Sequence, residues 1–168
     1  MGINKLNINI RDKYIEQAFE ILNFFKSIII EVHHIGSSRL TKIPYECDMD
    51  ILFIVKSYDD VRNLADILIA EGYVHVNHFS DYFRDDMVIR KVVDGQIVNM
   101  IFMSNASWKK NDILSCTESL SLNDDYAGSF KKLKKSFMKD EMTEAEYDER
   151  KYNLFQLIKS EGDHITSV

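Results

Sequence analysis

The sequence predicts an α+β fold, a mixed sheet of about five strands with flanking helices, followed by a C-terminal helical subdomain. Three observations carry the α+β reading. β-Prone runs and helical stripes share the chain up to Asn105, and no β-rich run follows it. Met49–Val55 is a near-continuous apolar run, as in a strand covered on both faces. Asp94-Gly95 lies between two β-prone runs, the signature of a two-residue hairpin turn. One proline and six glycines among 168 residues leave few breakers, so most of the chain belongs in regular structure.

Tyr14, Ile15, Ala18, Phe19, Leu22 and Phe25 follow the 3.6-residue period, which predicts an amphipathic helix over 12–26. Residues 28–35 are short and β-branched, a strand that Gly36-Ser37-Ser38 breaks. A connection over 39–48 holds the only proline, Pro44, and leads into the apolar strand 49–55. Val61, Leu64, Ala65, Leu68 and Ile69 mark a helix over 59–71, with Gly72 where a C-cap stands. Residues 73–76 suit a short strand, and 87–93 with 96–103 form the hairpin. Ala127, Phe130, Leu133 and Phe137 share one face of a helix over 124–139. Tyr147, Lys151, Leu154, Phe155 and Ile158 mark another over 143–160, opened by a capping box from Thr143 to Glu146. The tail from Gly162 is expected to fray. The expected division is an α+β core over 1–105 and a helical subdomain over 106–168, packed as one compact unit.

Composition narrows the function. Apolar residues make up 45% and charged residues 29%, globular proportions that exclude disorder as the default. Cys47 and Cys116 are too few for a disulfide framework or a structural zinc site. No apolar run reaches the roughly 18 residues a membrane helix needs, and Met1–Arg11 lacks the apolar stretch of a signal peptide. A soluble, cytoplasmic protein with no membrane partner is expected. A net charge of −6 gives no overall field toward nucleic acid, although a local basic patch is compatible with it.

The chemistry concentrates in His34-Ile35-Gly36-Ser37-Ser38 and Asp48-Met49-Asp50-Ile51. In an extended segment, side chains 48 and 50 point to the same side. Two carboxylates so placed repel unless a cation lies between them, and Mg²⁺, which takes oxygen ligands, is the natural one. A Gly-Ser turn after a strand lets backbone N–H groups approach phosphate oxygens. A phosphate clamp beside metal-holding acids suggests a nucleoside triphosphate with Mg²⁺, attacked at the α-phosphorus.

These residues resemble the polymerase-β nucleotidyltransferase superfamily and, within it, the GrpB family. His34-Ile35-Gly36-Ser37-Ser38 matches that family's opening motif, the Pro-containing connection has its length, and Asp50-Ile51 matches its strand acid. Leu133-Lys134, and Tyr147, Lys151 and Phe155 at steps of four, are similar to its helical motifs, so the resemblance spans residues 34–160. It implies an Mg²⁺-dependent nucleotidyltransferase moving a nucleotide from an NTP to an unknown acceptor: small molecule, RNA or protein. Asp48 and Asp50 would be the catalytic metal ligands. Gly36 and Ser37 would clamp phosphate, with Ser38, Arg39 and Lys151 as further phosphate ligands. The chain departs from the pattern twice. It carries two acids where the family usually has one, and Asn99 stands where active members of the superfamily place a third acid. A neutral amide replaces a carboxylate base poorly. The alternative is therefore a catalytically degenerate nucleotide-binding or protein-interaction module on the same fold.

Simpler readings stand beside these. His34 suits packing or hydrogen bonding better than ligation. Lys131, Lys132, Lys134, Lys135 and Lys139 read as the wet side of a helix, with a nucleic-acid-binding helix as the lesser alternative. Lys151 suits either snorkelling past an apolar face or reaching a phosphate. Trp108 is expected in packing.

Overall fold

In the computed structural model, the described residues are 2–39, 48–76, 83–122 and 124–165. Five strands form one mixed sheet in the order β1-β2-β5-β4-β3: β1 Ile29–Ile35, β2 Met49–Val55, β3 Val74–His75, β4 Met87–Val93 and β5 Gln96–Ser104. β2 and β5 run parallel at the centre, and every other pairing is antiparallel. The hairpin forms as its turn residues dictate. Asp94 and Gly95 both take positive φ, 51° and 78°, and Val93 pairs with Gln96.

All seven residues of β2 are buried, because each face of the sheet is covered. Helices α1 (Gly2–Phe25) and α2 (Tyr58–Ala70) cover one face. Ile21, Phe25, Leu64 and Leu68 pack there on Ile51, Phe53, Met100 and Phe102. The Phe53 and Phe102 rings stack with centroids 4.9 Å apart. α2 is capped by Ser57, whose hydroxyl accepts from the Asp60 N–H, and Gly72 just beyond its end takes φ 95°. On the opposite face, Ile35, Leu52, Ile54, Ile101 and Met103 meet Ile113 and Leu114 of α3 (Lys109–Leu122). Helices α4 (Asp124–Met138) and α5 (Glu144–Ile165) follow, held together by Phe130, Leu154, Phe155 and Ile158.

Three expectations are corrected, and one helix, α3, is added within the part expected to be helical. α1 begins about ten residues earlier than expected, because the sequence spacing of Ile3, Leu6 and Ile10 continues the apolar stripe toward the N-terminus and Ile10 is buried. α3 carries no clear amphipathic stripe, since small polar residues such as Ser115, Thr117 and Ser119 interrupt it, so periodicity does not reveal it. α5 runs on to Ile165, past the Gly162 at which fraying was expected. Trp108 is 70% exposed and lies outside the core. The connection around Pro44 and Cys47 lies outside the described residues. Among the described residues, no helix is long and apolar enough to cross a membrane.

Candidate functional site

Strand alternation places Asp50, Leu52 and Ile54 of β2 on the face that α3 covers. The far end of that face is apolar and the near end is charged. Register puts Asn99 of β5 directly beside Asp50, and Arg90 of β4 directly beside Asn99. The three side chains form a hydrogen-bonded row across the sheet. Arg90 Nε donates to Asn99 Oδ1 at 2.7 Å, and Asn99 Nδ2 donates to Asp50 Oδ1 at 2.9 Å.

The C-terminal helices answer this row with cations. Lys151 of α5 donates to Asp50 Oδ2 at 2.7 Å and lies 3.7 Å from Asp48 Oδ2. One ammonium thus stands between both carboxylates, which share one side as their spacing predicts. Lys134 of α4 donates to Asp48 Oδ1, and its ammonium also lies over the Phe137 and Tyr147 rings. Arg90 reaches α5 in turn, pairing with Glu144 and, at 3.4 Å, with Asp148. Asp48, Asp50, Asn99, Lys134, Asp148 and Lys151 are all buried. Burial pushes the Asp48 carboxyl up, but Lys151 and Lys134 outweigh it and hold its pKa below the ordinary value. Burial pushes the Lys151 ammonium down, but Asp50 and Asp48 outweigh it and its pKa is raised.

The β1 turn closes the near side. Gly36 takes φ 72°, and a Cβ there would stand 2.6 Å from Asp50 Oδ2, so the glycine lets the backbone lie against the acid. Its N–H donates to Thr117 Oγ1 at 3.4 Å, tying the turn to α3. Ser37 opens a 3-10 turn that ends at Arg39. Ser38 is buried and shares a 2.8 Å hydrogen bond with His34 Nε2, which leaves its hydroxyl turned inward. The His34 ring stacks on Tyr14 at 4.8 Å, the packing role expected of it. Burial brings its pKa down to about 4, with Asp50 opposing. Arg39 is exposed, and its charge acts on His34 and Tyr14. Between this turn, α3 and α5 lies a cleft with Asp50, Lys151, Asp148 and Thr117 at its polar end and Ile35, Phe83, Ile101, Ile113 and Phe155 along its apolar walls.

The structure thus brings Gly36, Asp48, Asp50 and Lys151 together. It also adds residues that sequence reasoning passes over. The sequence puts Lys134 on a wet helix face, yet it is buried while Lys131, Lys132, Lys135 and Lys139 are exposed. The usable signal is its step of four from Phe130 and three to Phe137, which puts it on the buried stripe. Arg90 and Asp148 carry no local signal, because only strand register and helix docking bring them to the site.

The donor set does not fit a resident Mg²⁺. Two carboxylates are present, the third position is an amide already bonded on both sides, and the place between the acids holds an ammonium. Among the described residues no group of three or more His, Cys, Asp or Glu side chains is arranged to hold a metal ion.

A sequence model of the GrpB protein family matches residues 3–161. No curated protein sequence matches the chain. Among solved structures, the crystal structure of conserved protein GrpB from Enterococcus faecalis is similar in fold, with a TM-score of 0.68 at 18% identity over 90% of this chain and 93% of that one.

Proposed function

The chain belongs to the GrpB family, and from that premise we propose that it binds a nucleoside triphosphate in this cleft without transferring the nucleotide. The observation that carries the reading is Asn99. It occupies the position beside Asp50 where a third carboxylate would serve as base or metal bridge, and its amide is committed to Asp50 and Arg90. Nucleotide binding draws support from the two ends of the cleft. Phe83 and Phe155 offer rings for a base, while Lys151 offers an ammonium for phosphate oxygens and Gly36, lacking a side chain, lets them come close to the turn.

The transferase reading is favoured by one observation, the two buried carboxylates on one side of the sheet start. In it, Asp48 and Asp50 would act with Mg²⁺ to move a nucleotide to an acceptor that is a small molecule, RNA or protein. It requires Lys151 to withdraw from both acids.

The test is a thermal shift with ATP, GTP, CTP and UTP, with and without Mg²⁺, paired with a pyrophosphate-release assay. A raised midpoint without pyrophosphate is the expected result, since a ligand of the native state raises apparent stability. Pyrophosphate release that Asp50→Asn abolishes would replace this reading with the transferase one. No shift with any nucleotide would remove both.

A further inference from the structure

Asp48 and Asp50 have the chemistry of cation ligands, and the cation they hold belongs to the chain itself. Lys151 Nζ stands 2.7 Å from Asp50 Oδ2 and 3.7 Å from Asp48 Oδ2. Lys134 takes the other oxygen of Asp48. Asp48 Oδ2 remains turned inward on a side chain only 1% exposed, with Lys151 3.7 Å away and no donor at full hydrogen-bonding distance among the described residues, while the Tyr147 hydroxyl also acts on this carboxyl. A buried carboxylate oxygen left without a donor is costly, and it faces the one ammonium too distant to bond it. A divalent cation would satisfy it at a little over 2 Å. No such ion can share the position with Lys151, because an ammonium and a metal ion a few ångströms apart repel strongly in a buried site.

We infer that Lys151 is a tethered substitute for a divalent cation, and that the Asp48–Asp50 pair becomes a divalent-cation site when its ammonium is taken away. The sheet alone presents two buried acids, and α5 supplies the charge that lets them stay ionised. Gly36 contributes to the latent site by omission. With no side chain, it keeps a methyl group from being forced 2.6 Å from Asp50 Oδ2, the oxygen that Lys151 now holds. Lys134 bonds Oδ1 of Asp48 and leaves Oδ2 facing Lys151, so its charge weakens the latent site without filling the place that Lys151 fills. The latent site takes its two protein ligands from the acids and the rest of the ion's shell from water, whether or not the cleft takes a nucleotide.

The experiment is a Mn²⁺ titration of the full chain at pH 7, followed by electron paramagnetic resonance, with no nucleotide present. Wild type is expected to show no saturable Asp50-dependent site. Lys151→Met is expected to bind one Mn²⁺ at least about tenfold more tightly than wild type, as removal of a repelling charge at this range implies. Lys151→Met combined with Asp50→Asn should lose that binding, which assigns it to the pair. Circular dichroism checks folding. If Lys151→Met does not fold in Mn²⁺-free buffer, Lys151→Gln takes its place, because it keeps a donor toward Asp50 while removing the charge. A wild-type site that Asp50→Asn removes would overturn the inference. So would Lys151 variants that gain no site. Variants that stay unfolded in saturating Mn²⁺ overturn it equally, since an ion replacing the ammonium restores the charge balance.

Discussion

Asn99 donates to Asp50 at 2.9 Å from the register position directly beside it, and its carbonyl oxygen accepts from Arg90. The amide is the one side chain of that size that serves both neighbours at once, as a donor to a carboxylate and an acceptor from a guanidinium. Asn99→Asp keeps the bond from Arg90 but turns the donor toward Asp50 into a second negative charge. The expected outcome is a loss of about 2–4 kcal/mol at neutral pH, between the cost of an unsatisfied buried hydrogen-bonding group and that of an uncompensated buried charge. Urea denaturation of both proteins checks it. A variant as stable as wild type would mean the row across β2, β5 and β4 is not a coupled network.

Gly36→Ala probes the turn. The substitution puts a side chain at φ 72° and a methyl group 2.6 Å from Asp50 Oδ2. The backbone conformation costs about 1–2 kcal/mol for an L-residue, and the clash adds a similar amount. A total loss of about 2–4 kcal/mol is expected, with the carboxylate of Asp50 displaced from Lys151. Thermal or urea unfolding gives the energy. A loss below about 1 kcal/mol, on the order of an ordinary surface change, would show that the turn relaxes freely.

Lys134 and Lys131 separate a buried from a solvated lysine on one helix. Lys134 is bonded to Asp48 and buried, whereas Lys131 is exposed. Lys134→Met should cost about 3–5 kcal/mol, because it leaves Asp48 buried with one fewer cation. Lys131→Met should stay within about 0.5 kcal/mol. Pairing Lys134→Met with Asp48→Asn should recover part of the loss, since charge and counter-charge leave together. The double-mutant cycle on unfolding free energies reads that coupling. Additive losses would mean the pair is not an energetic unit.

What is legible in the sequence is local. The Asp94-Gly95 turn fixes its own hairpin, Met49–Val55 announces a strand covered on both sides, and Thr143 with Glu146 caps α5 as the spacing predicts, each donating or accepting across the first turn. The Gly36 turn and the two acids are legible for the same reason, because strand alternation alone places 48 and 50 on one side. What stays hidden depends on docking. α3 has no apolar stripe of its own and is held by the cleft-side face of a sheet assembled from distant segments. Arg90 meets Asn99 through strand register, and Lys134 reaches Asp48 across 86 residues of chain. No spacing in the sequence encodes a contact of that separation. The majority of the lysine run is solvated, and a reading by that majority misses its one buried member.

His34 gives the molecule a pH dependence whose sign follows from its burial. The ring is packed against Tyr14, and its pKa falls to about 4, compared with about 6.5 for a free histidine. Between those values the unfolded chain binds a proton that the folded protein does not, so unfolding is favoured as pH falls. The stability tied to neutral His34 is fully present above about pH 6.5. It is lost progressively as pH drops toward about 4, for a total of about 3 kcal/mol. Asp48 acts in a lower window, because its depressed pKa preserves stability above the ordinary carboxylate value and releases it only as pH falls through the folded value. Urea midpoints measured at intervals from about pH 7 to about pH 4 should therefore fall before ordinary carboxylates titrate, with Asp86, whose carboxyl burial pushes up, opposing the fall. His34→Gln, which does not titrate, should be less stable than wild type at about pH 7 through the lost ring stack, yet show a flatter profile between about pH 6.5 and 4. A wild-type profile that is flat across that interval, or a variant profile of equal slope, would assign the acid sensitivity to other groups.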